Sequence, residues 1–201
     1  MSLKFSLIMK NVMLVCMALL IFSFTSEAQS MKKKYRTLEV SRELPFSADK
    51  VWAAVAEDYG NVANAHPLIV KSEYASGSLK GAKGAQRHCY FNDKGSRALH
   101  EEITEWNPEK GYFVNRVIEA KKFPLNEDNT RGTYFIKSTG PNSSEIMMKM
   151  EFRTKPGFMG GMAQGKFKRL LEDYFIAIEH HIATGEQVTA ANFKDVKKRY
   201  N

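Results

Sequence analysis

The chain has 201 residues, of which 43% are hydrophobic, and it carries a formal net charge of +8 at pH 7. This length suits one domain with a sizeable core rather than two. The basic residues are spread along the chain, apart from short runs at residues 32–34 and 197–199. Because no basic motif is interleaved with aromatics, we expect no nucleic-acid binding. The two runs are either solvated tails or peripheral contacts with an anionic membrane.

The amino terminus has the pattern of a secretory signal peptide. Two lysines precede an uncharged apolar run at residues 12–24, which is shorter than the ~20 residues of a membrane-spanning helix. We expect cleavage after Ala28, so that the mature chain begins at Gln29 and is periplasmic or secreted. An uncleaved membrane anchor and translation from Met31 are the alternatives. Export would leave Cys89 as the only thiol, which excludes an internal disulfide and a thiolate zinc site.

Alternating apolar residues and turn signals predict, in chain order, a strand, two short helical turns, six more strands and one long helix. The expected strands are residues 35–44, 69–74, 85–91, 97–106, 112–119, 132–138 and 145–153. The short helix follows Ser47 and ends at Gly60, and residues 61–65 form a second turn. Short, hairpin-like connections predict an antiparallel sheet. The expected organisation is a signal peptide at 1–28, a basic linker at 29–34, one domain at 35–185 and a polar, partly helical tail at 186–201.

The long helix, predicted over residues 158–184, is strongly amphipathic. Its apolar stripe has the three- and four-residue spacing of a helix face and consists of Phe167, Leu171, Tyr174, Phe175, Ile178 and Ile182. The opposite face carries Lys166, Lys168, Arg169, Glu172, Asp173 and Glu179. A single long helix after a series of strands must bury its stripe against the sheet. A curved sheet closed by one such helix often leaves a hollow, and hollows bind small molecules.

Several short motifs follow one another at spacings that resemble a known superfamily. They are Pro45-Phe46-Ser47-Ala48 with Val51-Trp52, Tyr59-Gly60-Asn61 through His66-Pro67, Gly84-Ala85-Gln86-Arg87, Asp93 to Gly95, Glu101 or Glu102 with Ile103, and Phe123-Pro124-Leu125. Over residues 35–185 the chain resembles the START-like, or helix-grip (SRPBCC), superfamily, in its bacterial polyketide cyclase/dehydrase and lipid-transport branch. The resemblance implies an α+β helix-grip fold: a curved seven-stranded antiparallel sheet wrapped around the long C-terminal helix, with two short helices after the first strand.

Alternation along each strand predicts which side chains face the helix and line the hollow. The expected ligand-binding set is Arg87, Cys89, Phe91, Leu99, Glu101, Ile103, Phe113, Asn115, Val117, Met148 and Met150 from the strands, Phe167, Leu171, Tyr174, Phe175 and Ile178 from the helix, and His66 at the rim. In abscisic-acid receptors of the same superfamily the matching strand positions line the ligand cavity, which the resemblance implies here. Met148 and Met150 suit either an adaptable pocket or ordinary core packing.

Three members of this inward set are polar: Arg87, Glu101 and Asn115. A buried charge without a partner costs several kcal/mol. Arg87 and Glu101 therefore either form an internal salt bridge or, with water, orient the polar end of an otherwise apolar ligand. His66 is either a polar group that reaches a ligand or a loop histidine bonded to the backbone.

The sequence shows no recognised nucleophile, phosphate loop or metal motif. His180 and His181 are adjacent on a helix and point about 100° apart, so they cannot share a metal. His88 and His100 fall on the outer faces of their strands, where they could meet but lack a third ligand. We therefore assign no catalytic residue, no metal and no cofactor.

These observations lead to one preferred function and two competitors. The preferred function is an exported protein that holds a small hydrophobic or amphipathic ligand, lipid- or polyketide-like, without covalent chemistry. The first competitor is a cyclase or dehydratase in which Arg87, Glu101 or His66 polarises carbonyls or moves protons. The second is an interaction module whose hollow is filled by its own side chains. The ligand's identity and the oligomeric state stay open.

Overall fold

The computed structural model describes residues 35–200. The predicted signal peptide, its cleavage site and the basic linker lie outside the described residues. The strands are β1 Arg36–Leu44, β2 Lys71–Tyr74, β3 Gln86–Tyr90, β4 Ala98–Asn107, β5 Tyr112–Lys121, β6 Arg131–Gly140 and β7 Ser143–Phe152. The α-helices are α1 Ala48–Trp52, α2 Gly160–Thr184 and α3 Phe193–Arg199. Over residues 35–200, no helix is both long and apolar enough to cross a bilayer.

The seven strands form one sheet in the order β1-β7-β6-β5-β4-β3-β2, and every neighbouring pair is antiparallel. Consecutive strands from β2 to β7 are neighbours, which is what short hairpin connections require. Only β1 pairs with a strand distant in sequence, and it closes against β7. The predicted α+β helix-grip fold, with seven antiparallel strands and a long C-terminal helix, is confirmed.

The chain between β1 and β2 is more compact than the sequence indicates. After α1 it continues as a π-helical turn, Ala53–Glu57, and a 3-10 turn, Tyr59–Asn64. Gly60, predicted to end the helix, instead lies inside the second turn. The ring of Tyr74 packs so closely against Gly60 that any Cβ there would collide with it. This close approach fixes the position of the neighbouring Tyr59 backbone against β2 and β3.

The long helix α2 buries the predicted stripe. Tyr174, Phe175 and Ile178 are 4%, 0% and 1% exposed, and Phe167, Leu171 and Ile182 pack at the edge of the same core. Strand alternation is also as predicted, since Ile146, Met148 and Phe152 of β7 are buried in that core. An ion pair of 2.6 Å between Arg42 of β1 and Glu179 of α2 fastens the helix to the sheet edge.

The segment after Gly185, predicted as a polar tail, folds back onto α2. Val188 and Val196 are 0% and 2% exposed. The buried His180 of α2 contacts Glu186 through Nε2 at 2.9 Å and the Tyr200 hydroxyl through Nδ1 at 3.1 Å. Lys197, from the basic run, pairs with Asp173 at 2.6 Å. In the described residues this segment is helical in part, as expected, and its two valines join the packing around α2.

Phe175→Ala should lower the free energy of unfolding by about 3–5 kcal/mol, because it opens a cavity in a fully packed region. Phe158→Ala is the matched control. Phe158 is 81% exposed, so its truncation should change stability by no more than ~0.5 kcal/mol. Urea denaturation of the three proteins measures both differences. Equal stability of the two variants would show that the packing face of α2 is misassigned.

Candidate ligand-binding site

A polar cluster lies inside the sheet at the level of β3 and β4. We use this name for Arg87, Glu101, Asn115, Tyr59 and Cys89. Arg87 and Glu101 face each other across β3 and β4, and the Arg87 Nε donates to Glu101 Oε2 at 2.9 Å. Their side chains are 5% and 12% exposed. The two inward charges are therefore bonded to each other, as the structural alternative in the sequence analysis expects.

Other residues of the cluster use most of the remaining hydrogen-bonding capacity of the Arg87 guanidinium and the Glu101 carboxylate. A second Arg87 nitrogen donates to the Tyr59 carbonyl oxygen at 2.9 Å, and the guanidinium stacks on the Tyr59 ring with its carbon 3.9 Å from the ring centre. Asn115 Nδ2 donates to Glu101 Oε1 at 2.9 Å, and Cys89 Sγ donates to Glu101 Oε2 at 3.6 Å. The carboxylate thus accepts from three side chains.

Two atoms of the cluster are exceptions. The Tyr59 hydroxyl and Asn115 Oδ1 are buried and make no hydrogen bond of good geometry among residues 35–200, although Asn115 lies close enough to Tyr59 to influence its pKa. Burial raises the pKa of Tyr59 well above its usual value, while Arg87 acts in the opposite direction. Burial also raises the pKa of the Cys89 thiol far above its ordinary range, so this thiol stays protonated. A protonated, buried thiol is a poor nucleophile.

His66 lies against α2 rather than free at a rim. Its ring centre is 4.9 Å from that of Tyr174, and its Nδ1 accepts a hydrogen bond from the Leu68 backbone N–H at 3.1 Å. Desolvation of this partly exposed ring, together with the nearby Arg87 charge, lowers the pKa of His66 to about 3. The ring is therefore neutral at physiological pH and is a weak base.

An open cavity of about 570 Å³ lies at one end of the sheet, where the β3–β4 turn and the loop after β5 meet the start of α2. We call it the aromatic cavity. It is lined by Leu68, Phe91, Arg97, Phe123, Pro124, Thr154, Met159, Met162, Ala163, Lys166, Phe167 and Leu170. The Phe91 and Phe123 rings meet edge to face with centres 4.7 Å apart. Its size and apolar wall are typical of small-molecule sites.

The predicted site residues divide between this cavity and the interior. Phe91 and Phe167 line the aromatic cavity. The remaining predicted residues do not line it; they are Arg87, Cys89, Leu99, Glu101, Ile103, Phe113, Asn115, Val117, Met148, Met150, Leu171, Tyr174, Phe175, Ile178 and His66. Of these, Cys89, Ile103, Phe113 and Phe175 are at most 1% exposed. A ligand contact at the interior positions stays a prediction.

Ten of the twelve residues that line the aromatic cavity are absent from the predicted site, which contains only Phe91 and Phe167. Met162, Ala163, Lys166 and Leu170 of α2, with Met159 just before it, recur at helical spacing beside Phe167 and form a second stripe next to the predicted one. The sequence analysis put Lys166 on the outer polar face, whereas it lines the cavity. Arg97 and Phe123 could have been found only by placing the β3–β4 turn beside the loop after β5.

His88 and His100 meet on the outer face of the sheet, as the sequence indicates they could. The His88 and His100 rings lie 4.3 Å apart, and His100 Nε2 is 3.2 Å from Gln86 Oε1. Within residues 35–200, no three His, Cys, Asp or Glu side chains are grouped so that they could hold a metal ion.

Residues 35–177 match the model of the family described as polyketide cyclase/dehydrase and lipid transport. The chain belongs to this family. The match spans the sheet and most of α2, so it includes the polar cluster and all twelve residues that line the aromatic cavity. No curated protein matches the chain significantly in sequence.

Solved structures of similar fold come from bacteria and plants. An uncharacterized Bacillus thuringiensis protein is 19% identical, with a TM-score of 0.58 over 74% of this chain and 99% of its own. Norcoclaurine synthase from Thalictrum flavum is 18% identical, with a TM-score of 0.53 over 74% of this chain and 87% of its own. The Zhui aromatase/cyclase from Streptomyces sp. R1128 is 15% identical, with a TM-score of 0.54 over 83% and 96%. At these identities the likeness establishes the fold.

Arg87→Met should lower the free energy of unfolding by about 3–5 kcal/mol, because it leaves the Glu101 carboxylate buried without its counter-charge. The double variant Arg87→Met/Glu101→Leu should be more stable than the single one, although Asn115 then loses its acceptor. Arg116→Met is the matched control. Arg116 pairs with Glu102 on the same sheet but its side chain is 57% exposed, so the cost should be at most ~1 kcal/mol. A double variant no more stable than the single would contradict the pairing account.

The pH dependence of stability should carry the signature of His66. Between about pH 6.5 and pH 3 the unfolded chain binds a proton at His66 that the folded chain does not. His66 therefore does not lower the free energy of unfolding above pH 6.5. Below that pH its titration lowers the free energy of unfolding by up to about 1.4 kcal/mol per pH unit. His66→Asn keeps an acceptor for the Leu68 N–H and removes the titration. Urea denaturation at several pH values from 4 to 7 gives the free energy of unfolding as a function of pH. This free energy should fall less steeply with decreasing pH in the variant than in the unaltered protein. The same pH dependence in both proteins would contradict the assignment.

Proposed function

We propose that the protein binds a small hydrophobic or amphipathic molecule in the aromatic cavity and acts as a carrier or sensor rather than as an enzyme. The observation that carries the proposal is an open apolar cavity of about 570 Å³ between the sheet end and the start of α2, with three phenylalanines in its wall. Met162, which is 73% exposed, and Leu68, which is 40% exposed, lie at its edge. A ligand that covered them would remove further apolar surface from water, which favours binding.

The protonation states of the interior support a carrier. The groups assigned to proton transfer in the enzymatic alternative were Arg87, Glu101 and His66. The first two are bonded to each other, and the pKa of His66, at about 3, is far from the near-neutral value that suits a general base. Cys89 is held protonated by burial.

The second candidate is a cyclase or dehydratase acting on a polyketide-like molecule. Its support is that solved structures of similar fold include an aromatase/cyclase and norcoclaurine synthase, and that the Tyr59 hydroxyl and Asn115 Oδ1 make no hydrogen bond of good geometry among the described residues. Those two atoms could hold a carbonyl or hydroxyl of a substrate. Turnover of such a substrate that is lost in Tyr59→Phe, with unchanged stability, would favour this candidate.

We also propose that the protein is exported, on the strength of the apolar run at residues 12–24 and the Ser-Glu-Ala sequence that follows it. A carrier outside the cytoplasm would meet hydrophobic molecules in water, where a binding cavity keeps them soluble.

Ala163→Trp should abolish or strongly weaken binding of the neutral fluorescent probe N-phenyl-1-naphthylamine, because the indole fills the aromatic cavity that Ala163 lines. Ala183→Trp, on an exposed turn of the same helix, is the matched control and should bind as the unaltered protein does. Fluorescence titration measures both. Equal binding by the two variants would place the probe elsewhere.

Amino-terminal sequencing of the protein recovered from its native envelope or medium should show a chain beginning at Gln29. The expected reason is cleavage after the small residue Ala28. Recovery of a chain beginning at Met1 or Met31 would contradict export by cleavage.

A further inference from the structure

We infer that the ligand of the aromatic cavity is an amphiphile with an anionic end, a carboxylate or a phosphate monoester, and that Arg97 and Lys166 bind that end. The inference rests on the proposed function and adds the chemical class of the ligand. It arises from the charges of the wall: among the twelve lining residues there are two cations and no carboxylate.

Arg97 is held over the cavity wall by stacking. Its guanidinium carbon lies 4.3 Å from the centre of the Phe123 ring and 5.9 Å from that of Phe91, and both rings line the cavity. A guanidinium held over an aromatic ring by cation–π attraction can still donate its N–H groups to an anion. Among residues 35–200, Arg97 makes no ion pair. The structure therefore holds a forked donor in place without giving it an acceptor.

Lys166 approaches the same cavity from the helix. It shares the second stripe of α2 with Met162, Ala163 and Phe167, and in the described part of the chain it has no carboxylate partner. By contrast, Lys168, two residues later, lies 3.9 Å from Glu172. Lys155, near the cavity, is engaged by Glu127. Of these three lysines, the one that lines the cavity is the one without a carboxylate partner among residues 35–200.

Two uncompensated cations beside an apolar wall match one kind of molecule. A carboxylate or phosphate accepts two parallel hydrogen bonds from a guanidinium and a further one from an ammonium group. An alkyl or aromatic body would lie against the Phe91, Phe123 and Phe167 rings. A cationic amphiphile would meet like charge, and a neutral one would leave both donors unused.

Competition binding tests this assignment. N-phenyl-1-naphthylamine would be displaced by dodecanoate, dodecyl phosphate, dodecanol and dodecylammonium, each kept below its micelle-forming concentration. We expect at least one anion to compete roughly tenfold or more better than dodecanol, as charge-assisted hydrogen bonds imply, and dodecylammonium to compete worst. The ratio of dodecanoate to dodecyl phosphate distinguishes a carboxylate site from a phosphate site.

Three variants test whether Arg97 and Lys166 cause the preference for anionic amphiphiles. Arg97→Gln/Lys166→Gln should lose the preference for the anion while its affinity for dodecanol is retained. Arg97→Lys, which keeps the charge, should retain part of the preference. Lys168→Gln removes one positive charge from the same helix without touching the cavity, and it should behave as the unaltered protein, which excludes a general effect of net charge.

The outcomes separate the two levels of the proposal. If dodecanol and the anions compete equally in the unaltered protein, the anionic class is wrong and the binding function stands. If Lys168→Gln weakens anion binding as much as Arg97→Gln/Lys166→Gln does, or if that double variant keeps the preference for the anion, the assignment of residues is wrong. If neither the probe nor any amphiphile binds, the proposed function fails, and this inference fails with it.

Discussion

The buried ion pair between Arg87 and Glu101 constrains the rest of the structure. An arginine that is only 4% exposed needs its charge compensated nearby, because a lone buried charge costs several kcal/mol, a large share of a domain's stability. Glu101 supplies that compensation across the β3–β4 ladder, and the Tyr59 carbonyl completes it. The pair therefore ties the turn after α1 to the middle of the sheet.

Closely packed rings adjoin this pair. The Phe113 ring lies 6.2 Å from that of Tyr59 and stacks on Tyr134 with centres 4.6 Å apart. At the sheet end lies the aromatic cavity, whose wall contains none of the polar cluster. The fold therefore combines a closely packed centre with an open apolar cavity at the sheet end. The site is formed by loop and helix-start residues, which carry less of the core's packing.

The sequence predicts much of the fold because its signals are periodic. The six-membered stripe of α2 and the alternation along β7 each need only local spacing, and both are confirmed. The Arg87–Glu101 pairing is one of the two alternatives that the sequence predicts, because the turn at Asp93 to Gly95 brings their strands together. Local spacing does not predict that Arg97 and Phe123 line the same cavity, since these two residues meet only through tertiary packing. Lys166 looked like an ordinary surface lysine for the same reason.

Methionine methyl groups offer the most direct test of where a ligand binds. Met159 and Met162 line the aromatic cavity, whereas Met148 is buried in the core and Met150 packs against it. In protein labelled with ¹³C at the methionine methyls, titration with N-phenyl-1-naphthylamine should shift the NMR signals of Met159 and Met162 and leave that of Met148 nearly unchanged. The largest shifts at Met148 and Met150 would place the ligand in the interior and contradict this account.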